Sequence, residues 1–123
     1  MANSIDNRPW IYTTIAVIIG IVLWVTMASS NSGYIHIKYR DDTVNISASN
    51  FEYLNKSDST VGGAWYDTNE KYMIIKLNDT YYHYCNFSND EWSGLKVSNS
   101  LYTYYQSNIK GSYDCRVYHV PAY

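Results

Sequence analysis

Hydrophobic and polar positions along the chain fall into two regimes. The first is an apolar run, WIYTTIAVIIGIVLWVTMA, residues 10–28, inside a stretch with no Asp, Glu, Lys or Arg between Arg8 and Lys38. A bilayer core of about 30 Å takes roughly 20 mainly apolar residues as a helix. Trp10 and Tyr12 at one end and Trp24 near the other sit where an aromatic belt would place them. The run has no polar face, which argues against a core helix of a soluble domain. It reads as an uncleaved transmembrane anchor. The competing reading is a cleaved signal peptide, with Thr26 and Ala28 as the small residues before the cut. Such peptides have an apolar region of only about 7–15 residues and a basic start, whereas this start carries only Arg8 and the terminal amine. The expected layout is a cytoplasmic tail over residues 1–9, a membrane helix over 10–28 and a flexible polar linker, SSNSG, over 29–33.

The second regime alternates. Ile35, Ile37 and Tyr39 interleave with His36, Lys38 and Arg40 at the period of a half-buried strand. Asp41 and Asp42 read as a turn and TVNIS as a returning strand. The following segment reads as a loop with Phe51, Tyr53 and Leu54 plugging the core, completing a β extension over 34–58. Gly62 and Gly63 imply a bulge or a close backbone approach. Met73, Ile75 and Leu77 alternate with Ile74 and Lys76, and Asn78-Asp79 makes a tight turn. On the return strand Tyr81, His83 and Cys85 point one way and Tyr82, Tyr84 and Asn86 the other, so one set is expected to be half exposed.

The period then becomes helical. Ser88 with Glu91 forms a capping box, Asp90 suits the positive helix end, and Trp92, Leu95 and Lys96 follow at helical spacing. A second helix is predicted over 100–110, with Leu101, Tyr104, Tyr105 and Ile109 on one face and Gly111 as its stop. The tail is expected to add a last strand, confined to an edge by Pro121. The predicted fold class is α+β: a small antiparallel sheet packed against two short helices, after an N-terminal transmembrane helix.

Composition narrows the function. The net charge is −2, so there is no strongly basic field to hold nucleic acid by phosphate neutralisation. Fifteen tyrosines imply an ordered domain with an aromatic core and a wet rim. Cys85 and Cys115 are the only cysteines. With the domain outside the cytoplasm they invite a disulfide; the alternative is two buried free thiols. Two cysteines with distant histidines lack the close paired spacing of zinc sites, so neither a metal nor another cofactor is expected. Arg8 and the cysteines favour an inside N-terminus and an extracytoplasmic domain, in a periplasm or on a cell surface.

From Ser59 and Val61 before WYD, through YMIIKL, TYYHYCNF and the Trp92-x-x-Leu95 helix, to SLYTYYQSNIKGSYDC, the chain resembles the KTSC domain family. That family is named for a C-terminal extension of some lysyl-tRNA synthetases. Residues 59–115 are the resembling domain, with 116–123 as a C-terminal tail. Phe87-Ser88 stands where the family has a Val-Pro-like pair, Tyr102 where it has Gly and Gln106 where it has Asn. The synthetase context implies an RNA-binding role as an alternative function, and the cysteines look like those of an extracytoplasmic branch.

Candidate chemistry is sparse. His36, His83 and His119 are scattered, and no Gly-x-Ser-x-Gly elbow or phosphate loop occurs. Asp67 and Asp114 are the one candidate carboxylate pair, and turn formation or pairing with Lys110 and Arg116 explains them more simply. No enzyme is expected. Asn45, Asn55, Asn78 and Asn86 each open an Asn-x-Ser/Thr sequon, an acceptor only where the host glycosylates. The expected function is a membrane-anchored, extracytoplasmic, non-enzymatic binding module. Tyr81, Tyr82, His83 and Tyr84, with Trp92, Tyr104, Tyr105 and Lys110, are its candidate contacts to a protein or envelope partner. The alternatives are nucleic-acid binding and an accessory subunit of a membrane complex assembled through residues 10–28.

Overall fold

A computed structural model describes residues 33–123. The expected cytoplasmic tail, membrane helix and most of the linker lie outside the described residues. Among the described residues no helix is long and apolar enough to cross a membrane.

Two antiparallel sheets and a short helical layer make up the domain. Strands β1 (Tyr34–His36) and β2 (Thr43–Asn45) form a hairpin. The main sheet has the order β3-β4-β5-β6, from β3 (Glu52–Tyr53), β4 (Val61–Asp67), β5 (Tyr72–Leu77) and β6 (Thr80–Tyr84). Helix α1 (Asn89–Val97) follows, and α2 (Leu101–Tyr104) runs directly into a π-helical turn, Tyr105–Ile109. The α+β class and the two short helices are as the pattern predicts.

The sheet is covered on both faces. Strand β5 reads YMIIKL, a nearly continuous apolar run of the kind buried on both sides. Met73 and Ile75 enter a core with Tyr66, Phe87, Trp92 and Leu95 under the helices. Tyr72 and Ile74 enter a second core with Ile37, Val44 and Cys85 under the N-terminal hairpin. Half exposure is therefore shared by both residue sets of β6 and not confined to one: all of Thr80–Tyr84 are half-buried.

Local chemistry explains most boundaries. The bulge expected at Gly62-Gly63 appears as a register shift between Val61 and Gly63, where a Cβ on Gly63 would press on the Trp65 indole. Asn78 takes the positive φ of 56° at the β5–β6 turn, a conformation Asn tolerates better than most residues. Ser88 caps α1 by accepting from Glu91 N at 3.1 Å. The reciprocal half of the capping box is replaced: Glu91 Oε2 accepts from the Tyr104 hydroxyl at 3.0 Å, tying α1 to α2. At the other end of α1, Lys56 Nζ donates to the carbonyls of Lys96 and Ser98 at 2.8 and 2.6 Å, where a cation suits the helix terminus.

Three expectations need correction. The first strand ends at His36; Ile37 makes an isolated parallel bridge to Tyr81, and Tyr39, at φ 69°, turns out of the core to 82% exposure. Tyr53 is not a core plug: β3 pairs with β4 and lays the Tyr53 ring on Trp65 at 5.3 Å, whereas Leu54 is buried. The tail forms turns rather than an edge strand, and its Pro121 carbonyl accepts from Arg40 Nη2 at 2.8 Å.

Candidate functional site

Strand β6 is the outer strand of the main sheet, and its outer edge is closed at two places. Near its start Lys38 N donates to Tyr81 O at 2.9 Å. Just past its end Cys85 N donates to Tyr113 O at 2.8 Å, and the Cys85–Cys115 disulfide, with Cα atoms 4.9 Å apart, fixes the same crossing. The bridge joins β6 to the chain leaving the helical layer, as the cysteine count suggested.

Between those closures lies a groove of about 770 Å³. One bank is Tyr39–Asp42, the floor is Tyr82–Tyr84, and the other bank is Gly111–Arg116 with Val120. Tyr39 at φ 69° and Tyr113 at φ 57° are both in the left-handed region, which a bulky side chain rarely enters. One stands on each bank.

The floor is wired from below. The buried Arg40 donates to both Asp42 oxygens at 2.8 and 3.1 Å, and through Nη1 to the Tyr72 hydroxyl at 3.1 Å. The Tyr72 hydroxyl lies 2.8 Å from His83 Nδ1. Arg40 can only donate, so the Tyr72 hydroxyl accepts from it; donating its one proton to Nδ1 is the arrangement that also uses that proton, with the neutral imidazole carrying its own on Nε2. Burial opposes the Arg40 charge, but its bonds to Asp42 and Tyr72 outweigh that and raise its pKa. Burial pushes the Tyr72 hydroxyl up to about 12. Burial, then the Arg40 charge, holds His83 below its ordinary value, with Asp114 acting weakly the other way. The bond from Arg40 lowers Asp42, and the bonds from Arg116 lower Asp114.

Of the residues singled out from sequence, Tyr82, His83 and Tyr84 line this groove. Tyr81 lies on the same face as His83 but outside the groove, packed at 5.8 Å from Trp65 and lining a smaller hollow with Tyr34–His36. Trp92 is buried and stacks on Tyr66 at 5.1 Å, its Nε1 donating to Glu52. Tyr105 is buried with its hydroxyl 2.6 Å from that of Tyr84. Tyr104 is held by Glu91, and Lys110 is exposed outside the groove. The eight candidates thus do not share one surface: Trp92 and Tyr105 are core.

The carboxylate pair is not brought together. Asp67 is buried and accepts from Asn50 at 3.0 Å, from the Tyr123 hydroxyl at 2.8 Å and from the backbone of Asn69 and Glu70. Asp114 lies in the groove, clamped by Arg116. Ser112, His83 and Asp114 line one groove, yet among the described residues no hydrogen bond joins Ser112 to His83. Nor do the described residues contain three or more His, Cys, Asp or Glu placed to hold a metal. Sequence reasoning missed Tyr39–Asp42 and Tyr113 as groove residues. The only local signal for them was the Arg40-Asp41-Asp42 turn.

The model of the KTSC domain matches residues 57–113, just under half of the chain. Its bounds lie within two residues of those read from the sequence. It takes in β4 to the π-helical turn but omits Tyr39–Asp42, so the groove is built jointly by the matched region and the N-terminal extension. No curated protein and no solved structure matches the chain.

Proposed function

We propose that this chain is a non-enzymatic binding module, anchored in a membrane by residues 10–28 and displayed on the extracytoplasmic side. It contacts a protein partner through the groove beside β6. The observation that carries this reading is the pair of left-handed tyrosines, Tyr39 and Tyr113, on opposite banks. A non-glycine residue held in that region costs on the order of 1 kcal/mol or more, and such strain concentrates at ligand clamps and active sites. Burial does not offset it at Tyr39, whose ring is 82% exposed.

Other features support the same reading. The disulfide suits an oxidising compartment. A neutral His83 tied to Tyr72, and an Asp114 engaged by Arg116, leave no acid–base pair poised over the groove. Both groove arginines are already paired, which removes support for phosphate binding there.

A photo-reactive side chain placed at Tyr39 in the full-length membrane protein tests the contact. Cross-linking to a partner from position 39, and not from the exposed Val97 on α1, is expected. Equal labelling from both positions, or none from 39, overturns it. Protease added to cells stripped of any outer membrane should cut at the 29–33 linker and release residues 34–123; cutting only after the inner membrane is broken counts against the outside placement.

A further inference from the structure

The geometry points to a peptide-binding slot in which an extended partner segment adds one antiparallel rung to β6 at His83. This rests on the groove reading above and gives it a ligand class. Backbone groups along an antiparallel strand face the neighbouring strand and the open edge by turns. Tyr81 O and Cys85 N both point away from β5, since their partners are Lys38 and Tyr113. The β5–β6 register is unbroken from Leu77↔Thr80 to Met73↔Tyr84. His83, midway between Tyr81 and Cys85, therefore turns its own N–H and C=O outward, into the groove. The fold closes the rung on either side of His83 and leaves this one without a partner among the described residues.

One donor and one acceptor at sheet spacing recognise a single residue of an extended chain, which exchanges both hydrogen bonds with the residue opposite. The groove, about 770 Å³, is within the roughly 300–1,000 Å³ of ordinary ligand clefts. Opposed residues share a face, so the side chain on the rung lies on the His83 side, where Val120 and Cys115 make an apolar surround. The residues before and after it fall on the side of Tyr82 and Tyr84, whose rings suit apolar or aromatic neighbours. The banks carry Arg40 and Arg116 against Asp41, Asp42 and Asp114. Both arginines are paired, to Asp42 and Asp114, and Lys38 Nζ lies over the Tyr39 and Tyr82 rings, which leaves Asp41 as the exposed acid of the banks outside those two ion pairs. The segment that fits is an extended peptide with an uncharged residue on the rung and a Lys or Arg within reach of Asp41. Outward edge groups of this kind pair readily with a second chain, and here the two closures limit the pairing to one rung.

The test uses the full chain in lipid nanodiscs. Without peptide, the His83 amide should exchange hydrogen at least about tenfold faster than those of Tyr82 and Tyr84, which face β5. A library of blocked random pentapeptides is then selected on the same sample. Enriched peptides should carry a basic residue, slow the His83 exchange, and lose about five- to tenfold in affinity when one particular backbone amide is N-methylated. Asp41→Asn should weaken the basic peptides and leave their N-methyl sensitivity intact. A His83 amide as protected as its neighbours overturns the proposal. So does a selection that enriches nothing, or enriches only peptides indifferent to methylation at every position. Cross-linking from position 39 beside methylation-indifferent peptides refutes strand addition while leaving the groove as the contact; failure of both removes the groove itself.

Discussion

Removing the Cys85–Cys115 bridge tests whether a covalent link holds one bank of the groove. The bridged residues are 30 apart in sequence, and closing a loop of that size withdraws roughly 3–4 kcal/mol of chain entropy from the unfolded state. In a domain of fewer than 100 residues, 1 kcal/mol moves Tm by roughly 4–8 °C, so reduction should lower it by about 15–25 °C. The double variant Cys85→Ala with Cys115→Ala should fall slightly further. Cys85 is fully buried, and deleting its sulfur adds about 1 kcal/mol of lost packing. The assay is thermal unfolding of the full chain, followed by circular dichroism, with and without reductant, beside the double variant. The same samples report on the groove. Reduction should speed exchange at the Cys85 amide, whose bond to Tyr113 O lies at the foot of that bank, more than at the Ile75 amide in the centre of the sheet. A drop under about 5 °C refutes the chain-entropy reasoning. Equal acceleration at Cys85 and Ile75 refutes the local role of the bridge.

Three further outcomes follow from buried groups. Asp67→Ala should cost roughly 2–4 kcal/mol in urea unfolding because it strands several converging donors; an unfolding curve like that of the parent chain would revive a role for this carboxylate in chemistry. Burial holds His83 below its usual value, so the unfolded chain binds the extra proton first. Stability is full above about pH 6.5 and falls as pH drops from there through the lower folded value. The groups facing His83 in that window are Arg40, Tyr72 and Asp114, and the carboxylates titrate lower, at about pH 4 and below. Urea unfolding at pH 7.5 and 5.5 should therefore show a loss in the parent chain that His83→Gln reduces; an equal loss in both excludes His83 as its source. Leu95→Ala, at a fully buried position, should cost roughly 2–4 kcal/mol, and Val97→Ala, on the exposed side of the same helix, less than about 0.5 kcal/mol. Similar costs at the two sites would contradict the assignment of the helix face.

Elements specified by neighbouring residues were legible in the sequence. The β5–β6 hairpin follows from alternation broken by Asn78-Asp79, and α1 from Ser88 and the 3.6-residue period. The disulfide followed from an even cysteine count. Aromatic density was the misleading signal. Trp92 and Tyr105 look like contact residues in a tyrosine-rich chain, but their helical spacing already put them on the inward face with Leu95, Leu101 and Ile109. The spacing was the better guide because a ring's exposure depends on which face it occupies, not on how many rings are nearby. Tyr39 failed in the opposite sense. Its alternation with Ile35 and Ile37 predicted a buried ring, but the strand turns once Ile37 has bridged to Tyr81, and the left-handed backbone carries the ring outward.

The candidate rung was half legible in the same way. A two-residue turn at Asn78-Asp79 makes Leu77 and Thr80 the first pair, and the inward and outward rungs then alternate from there. The parity of Tyr81, His83 and Cys85 as edge-facing residues was therefore fixed locally, before any tertiary contact. What sequence could not supply was the identity of the chains closing on that edge. Lys38 arrives from an extension outside the matched domain, and Tyr113 from beyond the π-helical turn. Each blocks one rung, and the opening at His83 is the interval between them. Such an opening depends on two independent segments, so a change in either should alter it while β5 and β6 stay paired. Shortening the Tyr39–Asp42 turn by one residue should shift Lys38 off Tyr81 O and lengthen the exposed edge. The Lys38 amide, which donates that bond, would then exchange at a rate near that of the His83 amide, and its continued protection would refute this account of how the slot is bounded.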